Sequence, residues 1–375
     1  MAGALSGLVI ADFTRVLAGP YATMLLGDLG AQVIKIERPN LGDDTRSWGP
    51  PFDSRGTATY FQSVNRNKDS VTIDLSSDAG FAQAREIILK ADVIIHNFAP
   101  QLAKKFQLDY KSVKEISPQI IHCAITGFGA SEGAKMPGYD LLVQAMGGLM
   151  SVTGSNEPTK VGVAVVDVIT GLHAAIGILS ALHHRTTTGL GQSVEVNLLS
   201  SILSGMVNQS SGFVSADVAP QLIGNAHPSI APYEVYQCAD RALVIAVGND
   251  AQFVKLCSAL GLAELSDDVR FSTNSARVKN REALNSFLSI NLKKYAADYW
   301  IEQLAKVAVP CGPINTIAEA FALAQGLGLE PIVDIQEGNR IWRQVANPIT
   351  LSETPAEYRD APPELGENNN DWLQL

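Results

Sequence analysis

The sequence predicts a two-domain α/β protein, with a doubly wound, mostly parallel sheet in the larger domain and a smaller α+β domain after it. Three observations carry that expectation. The 375 residues exceed what one compact core usually holds. Short β-branched runs alternate with helical patterns over the first two hundred residues, as βαβ units require. Near residue 205 the pattern loosens into small and turn residues, then restarts.

Strands are expected near 8–12, 32–36, 70–75, 92–96, 119–125 and 192–197, with helices between most of them. The first helix should open around Pro20 and stop by Gly30, because proline suits a first helical turn and glycine accepts the left-handed conformation that ends one. Several strands are apolar at successive positions, which suits burial on both faces. A Rossmann-like sheet of this kind places its ligand crevice beyond the carboxyl ends of the strands. The larger domain is expected over 1–205 and completed by 330–375, with a linker at 206–224. The smaller one, over 225–325, should contain two strands ("YEVYQC", "ALVIAV") meeting at Ala239-Asp240-Arg241, and helices near 250–260, 281–291 and 296–307.

Composition narrows the function. Hydrophobic residues at 46% and charged residues at 18% are ordinary globular values, which removes disordered and coiled-coil readings. A net charge of −10 argues against a sequence-independent grip on nucleic acid. Four scattered cysteines, with no Cys-x-x-Cys pair, indicate a reducing compartment, and "SGLVIADF" reads as a strand rather than a leader, so the cytoplasm is the expected location. The apolar run Val161 to Leu182 is interrupted by Asp167 and His173 and is expected as a buried helix, not a membrane span. Dinucleotide, P-loop, nucleophile-elbow and zincin motifs are all absent, and the six histidines lack metal-ligand spacing, so no metal and no tightly bound cofactor is expected.

Cations collect where strands end. Arg15 and Arg38 follow the first two strands, Arg66 and Lys68 precede the third, and Asn97, Phe98 and Lys105 follow the fourth. A phosphorylated nucleotide wants cations for its charge and a flat apolar face for its base. The run "VGVAVVDVITGLHAAIGILSALHHR" repeats Val168, Leu172, Ala175, Ile176, Leu179 and Leu182 at helical spacing, which places Asp167 at the expected N-cap of a well-buried helix. A helix N-terminus keeps a carboxylate ionised, and an ionised carboxylate can attack a carbonyl.

Taken together, "DFTRVLAGP", "LGAQVIKIERP", "NRNKDSVTIDL", "ADVIIHNFAP", "PGYDLLVQAMGGLMSVTG", "VVDVITGLHAAIGILSAL", "TTGLGQSVEVNLL", "VPCGPIN" and "APPELGE" resemble the class III coenzyme A transferase family, which also holds the α-methylacyl-coenzyme A racemases. The resemblance covers nearly the whole chain and is nearest to the succinate–hydroxymethylglutarate branch. It implies an acyl-coenzyme A donor and a carboxylate acceptor, dicarboxylic acids among them, with Asp167 forming an aspartyl mixed anhydride and then an aspartyl-coenzyme A thioester. It further implies catalytic roles for Tyr139 and Asp140, a shielding loop near Gly248, Asn249 and Asp250, and coenzyme A contacts at Arg15, Arg38, Lys68, Asn97, Phe98 and Lys105. An interlocked homodimer is implied as well, with no membrane and no nucleic-acid partner. Gln101, Gln107, Asp69 and Asn368 depart from the family pattern. The rival activity is the racemase, which needs a base near neutral pH where this chain has Tyr139, a phenol titrating near pH 10. A binding protein that has lost the chemistry is the other alternative.

Overall fold

The computed structural model describes residues 3–373. These divide into two compact units, one of residues 3–149, 160–219 and 329–373, the other of 150–159 and 220–328.

The first unit is built on six parallel strands: β1 (Val9–Asp12), β2 (Gln32–Glu37), β3 (Lys68–Thr72), β4 (Val93–His96), β5 (Ile121–Thr126) and β6 (Ser193–Asn197). Their order is β3-β2-β1-β4-β5-β6. The chain winds outward in both directions from the β1/β4 pair, so the crevice expected of such a sheet opens where the loops after β1 and β4 part. Alternate side chains of each strand serve different cores. Ile10, Val33, Val93 and Ile95 pack with Ala22 and Leu26 of the first helix (Ala18–Asp28), whereas Ala11, Ile34, Val71 and Ile94 pack with Ala84, Ile87 and Ile88 of the helix Asp78–Lys90. Burial on both faces explains why the strands read as unbroken apolar runs.

The long helix Val165–Thr188 crosses the first helix closely at Gly171, where a Cβ would sit 2.5 Å from the carbonyl oxygen of Ala18. Small residues are therefore the ones turned inward: Thr170, Gly171, Ala174 and Ala181 are buried, together with Val166 and Ile178. Ile176 is 61% exposed, and Leu172 and Leu179 are also open. The expected core face is corrected accordingly, because close approach of two helices excludes bulky side chains. By length and composition this helix could cross a membrane, and its buried face packs on the first helix and on β5 and β6.

Residues 207–216, within the stretch expected as a linker, form a helix. The tail forms a hairpin, β10 (Ile332–Glu337) with β11 (Arg340–Val345). From there it reaches the first unit's interior, where Arg66 Nη1 donates to the Val345 carbonyl and Asn67 N–H to the Asp360 carbonyl.

The second unit has three antiparallel strands, β7 (Tyr233–Gln237), β8 (Ala242–Ala246) and β9 (Cys311–Pro313), over a core that includes Leu243, Ile245, Phe253, Leu256, Leu288 and Trp300.

Candidate active site

Behind β1 the chain makes a strained turn. Val16 has φ 73°, a left-handed conformation that a β-branched residue adopts only when its surroundings enforce it. Three sets of contacts do so. Val16 N–H donates to both oxygens of Asp43 at 3.3 Å, Lys35 Nζ donates to the Thr14 carbonyl at 3.1 Å, and Asn97 brackets Arg15, accepting from its N–H and donating to its carbonyl. The loops after β1 and β4 are thus tied together at the switch point of the sheet.

This clamp rests on a cluster of buried charges. Lys35 bonds Asp43 at 2.8 Å, and Lys68 bonds Asp12 at 3.3 Å, the Pro20 carbonyl at 2.9 Å and Asn65 Oδ1 at 3.0 Å. Burial alone would raise the acids, yet Lys35 and two bonds from Thr45 hold Asp43 down at about 2. Burial, with Lys35 nearby, lowers Lys68 to about 8 despite Asp12. The Lys68 side chain is fully enclosed, so its expected place on the coenzyme A rim is corrected: β3 starts two residues earlier than the sequence suggested, and Lys68 lies within the sheet beside Val33. Arg66 is likewise internal, forked onto Asp28 at 2.6 and 2.8 Å.

Arg15, Arg38 and Phe98 do come together. They line a cavity of about 520 Å³ with Leu102 and Phe106, and Asp44 bridges the two guanidinium groups at 3.1 and 2.7 Å. Lys105 stands exposed at the end of its helix, 6.0 Å from the ring of Phe106. A second cavity, of about 250 Å³, shares Arg15 and Phe98 with the first and passes Asn97 to reach Tyr139 and Asp167. A third, of about 240 Å³, shares Val16, Tyr139 and Asp167 with the second and is lined further by Trp48, Tyr60 and Lys160. Asp167 therefore stands where two cavities meet.

Its setting differs from the expected N-cap. Ala164 is the N-cap and offers no side-chain bond, while Asp167 is the third helical residue. The cap comes from a distant segment: Asp140 Oδ1 accepts from the N–H groups of Val166 and Asp167 at 2.8 and 3.1 Å. Gln144 holds Asp140 in turn, donating to its Oδ2 at 2.6 Å. The helix head spends its positive end on Asp140, so the half-buried Asp167 gains little from it. Burial first, and Asp140 second, push its carboxyl up to about 7. Near neutral pH it is divided between its acid and its anion, and the anion is poorly solvated, which favours nucleophilic attack.

In the second unit, Gly248 precedes the helix Asp250–Ala259, whose N-cap is Asn249. The Gly248 N–H donates to Gln252 Oε1 at 2.8 Å, and Asp250 pairs with Arg277 at 2.7 Å. Trp48, Tyr60, Gln144 and Lys160, which the sequence did not single out, line the third cavity beside Asp167.

The doubly wound α/β scaffold thus carries a carboxylate at the meeting of two cavities, the arrangement of an α/β enzyme with its site beyond the strand ends. The chain belongs to CoA-transferase family III, whose profile matches residues 5–369. It is thus a class III CoA-transferase, and such enzymes act on coenzyme A thioesters. It is 41% identical to the succinate–glutarate CoA-transferase of Agrobacterium fabrum, over 97% of this chain and 93% of that one. The succinyl-CoA:glutarate CoA-transferase of Mus musculus is 38% identical, over 99% and 86%. Among solved structures, a CAIB/BAIF family protein from Brucella suis superposes with a TM-score of 0.87 at 42% identity, covering 99% of this chain and 98% of that one.

Proposed function

We propose that this enzyme transfers coenzyme A between dicarboxylic acids, with succinyl-CoA as donor and a diacid of glutarate type as acceptor, through covalent intermediates on Asp167. The reading rests chiefly on Asp167 lying at the junction of an arginine-headed cavity and a separate smaller one. The names of the two relatives supply the substrate class.

In the first step the Asp167 carboxylate attacks the thioester carbonyl, the C–S bond breaks and coenzyme A leaves as thiolate, giving a mixed anhydride. The thiolate attacks the aspartyl carbonyl and expels the donor carboxylate, leaving an aspartyl-CoA thioester. The acceptor carboxylate attacks that thioester to form a second anhydride, and the thiolate released then attacks the acceptor's acyl carbon, freeing Asp167. No proton is consumed, and thioester energy is kept as long as water is excluded from the anhydrides. Arg15 and Arg38 would hold the nucleotide end and Phe98 its base, with Asn97 fixing the loop that presents Arg15. Tyr139 lines both cavities at the reacting atoms. Mass spectrometry after incubation with succinyl-CoA and hydroxylamine should find a hydroxamate at Asp167, and Asp167→Asn should cut turnover by at least about 10⁴-fold. An active wild type without that adduct would end the covalent route.

The open apolar side of the long helix, with Leu172, Ile176 and Leu179, supports a homodimer as the working form. Light scattering on the eluted protein should give twice the mass of 40.0 kDa; a monomer at micromolar concentration would oppose it.

A further inference from the structure

Resting on the reading above, we propose that the cavity lined by Trp48, Tyr60 and Lys160 is the acid pocket, and that Lys160 binds the second, unreacting carboxylate of a dicarboxylic substrate. Lys160 is then the residue that selects diacids over monoacids.

The two cavities at Asp167 have different characters. The one headed by Arg15 and Phe98 continues into the larger arginine-lined space, which suits a long anionic thioester. The other has aromatic walls, with the rings of Trp48 and Tyr60 5.6 Å apart edge to face, and is of a size for a small acid. An acyl group joined to Asp167 while the coenzyme A arm lies in the first cavity needs a second space, and this cavity opens on the same carboxylate.

Electrostatics sharpens the assignment. A diacid activated at one end still carries a charge at the other, and this cavity already contains the carboxyl groups of Asp140 and Asp167. The free end needs a cation to offset their repulsion. Among the described residues, Lys160 is the one cationic side chain lining the cavity, and no carboxylate pairs with it; its Nζ has only the Val161 carbonyl at 3.4 Å. The backbone beside it is fixed. Gln144 Oε1 accepts from Val161 N–H at 2.9 Å and Gln144 Nε2 donates to the Val163 carbonyl at 3.3 Å, the same amide that steadies Asp140. The backbone next to Lys160 is therefore anchored through Gln144 to Asp140, the residue that caps the helix carrying Asp167, while the flexible lysine stem lets one ammonium reach diacids of different length.

The test compares two acceptors of equal chain length, glutarate and pentanoate, each with succinyl-CoA as the fixed donor, so that effects on the donor cancel in the ratio of their kcat/KM values. In Lys160→Gln that ratio should fall about 10- to 100-fold, the loss expected of a hydrogen bond to a charged group. Lys160→Arg should restore most of it, and Lys160→Glu should depress it further. A ratio within two-fold of wild type in Lys160→Gln overturns the assignment of Lys160 even though transfer continues. A wild type that transfers coenzyme A to no acid at all overturns the proposed function, and this proposal with it.

Discussion

Two regions of the first unit hold carboxylates that are wholly or partly buried, and they treat them in opposite ways. Beneath β1, β2 and β3, each acid has its cation: Asp43 has Lys35, Asp12 has Lys68, and Glu37 takes Arg46 at 2.6 Å. Although burial opposes it, these partners hold all three acids below their ordinary range. At the head of the long helix, Asp140 and Asp167 lie together, and no cation pairs with either among the described residues. Desolvation there goes unanswered, and Asp167 rises to about 7. Pairing makes a charge inert and structural; withholding the partner makes it reactive at the expense of stability.

Breaking the paired region should have the largest effect. Lys68→Met leaves Asp12 enclosed without its nearest cation and should lower unfolding stability by about 3–5 kcal/mol, read from urea titrations. A loss under about 1 kcal/mol would mean that the cluster is not what holds the turn at Val16. The unpaired region should respond with the opposite sign. Between about pH 4 and 7 folded Asp167 keeps a proton that the unfolded chain, with the ordinary value of 3.8, has released, so stability falls as pH rises through that window. Asp167→Asn should therefore be more stable than wild type by about 1–3 kcal/mol at pH 8, allowing for its partial exposure, and equal to it near pH 4. A destabilised Asp167→Asn at pH 8 would remove the contrast. The smallest change is expected from Asp140→Asn, which keeps the capping oxygen and removes the charge. Stability should change by less than about 1 kcal/mol, while the acid limb of kcat/KM, with its midpoint near 7 in the wild type, moves to lower pH. An unmoved limb would separate Asp140 from the titration of Asp167.

The sheet was legible because its strands are β-branched runs between turn residues, and the strand-end positions of Arg15, Arg38, Asn97 and Phe98 followed from it. Legibility failed wherever a long-range contact overrode the local pattern. Lys68 and Arg66 look like loop cations ahead of a strand; both are internal because the strand begins at Lys68 and because Asp12 and Asp28 await them. Asp167 looks like its own helix cap, and the true cap lies 27 positions earlier in the chain. The apolar repeat of the long helix names its large side chains, whereas the contact with the first helix selects its small ones. Trp48 and Lys160 lie outside the helices and strands, and Tyr60 sits in a single-turn helix, Thr59–Gln62, too short to show a period, so only the folded cavity brings them to notice.

The crossing at Gly171 has a bearing on how such an enzyme can diversify. One turn beyond Asp167, the backbone of the long helix rests against the Ala18 carbonyl with no room for a methyl group. That contact acts as a spacer of fixed thickness between the helix head and the loop carrying Val16, and it leaves no latitude for redesign. If the neighbouring cavity is the acid pocket proposed for it, new acid preferences fall to its walls of Trp48, Tyr60 and Lys160, none of which takes part in the close contact at Gly171.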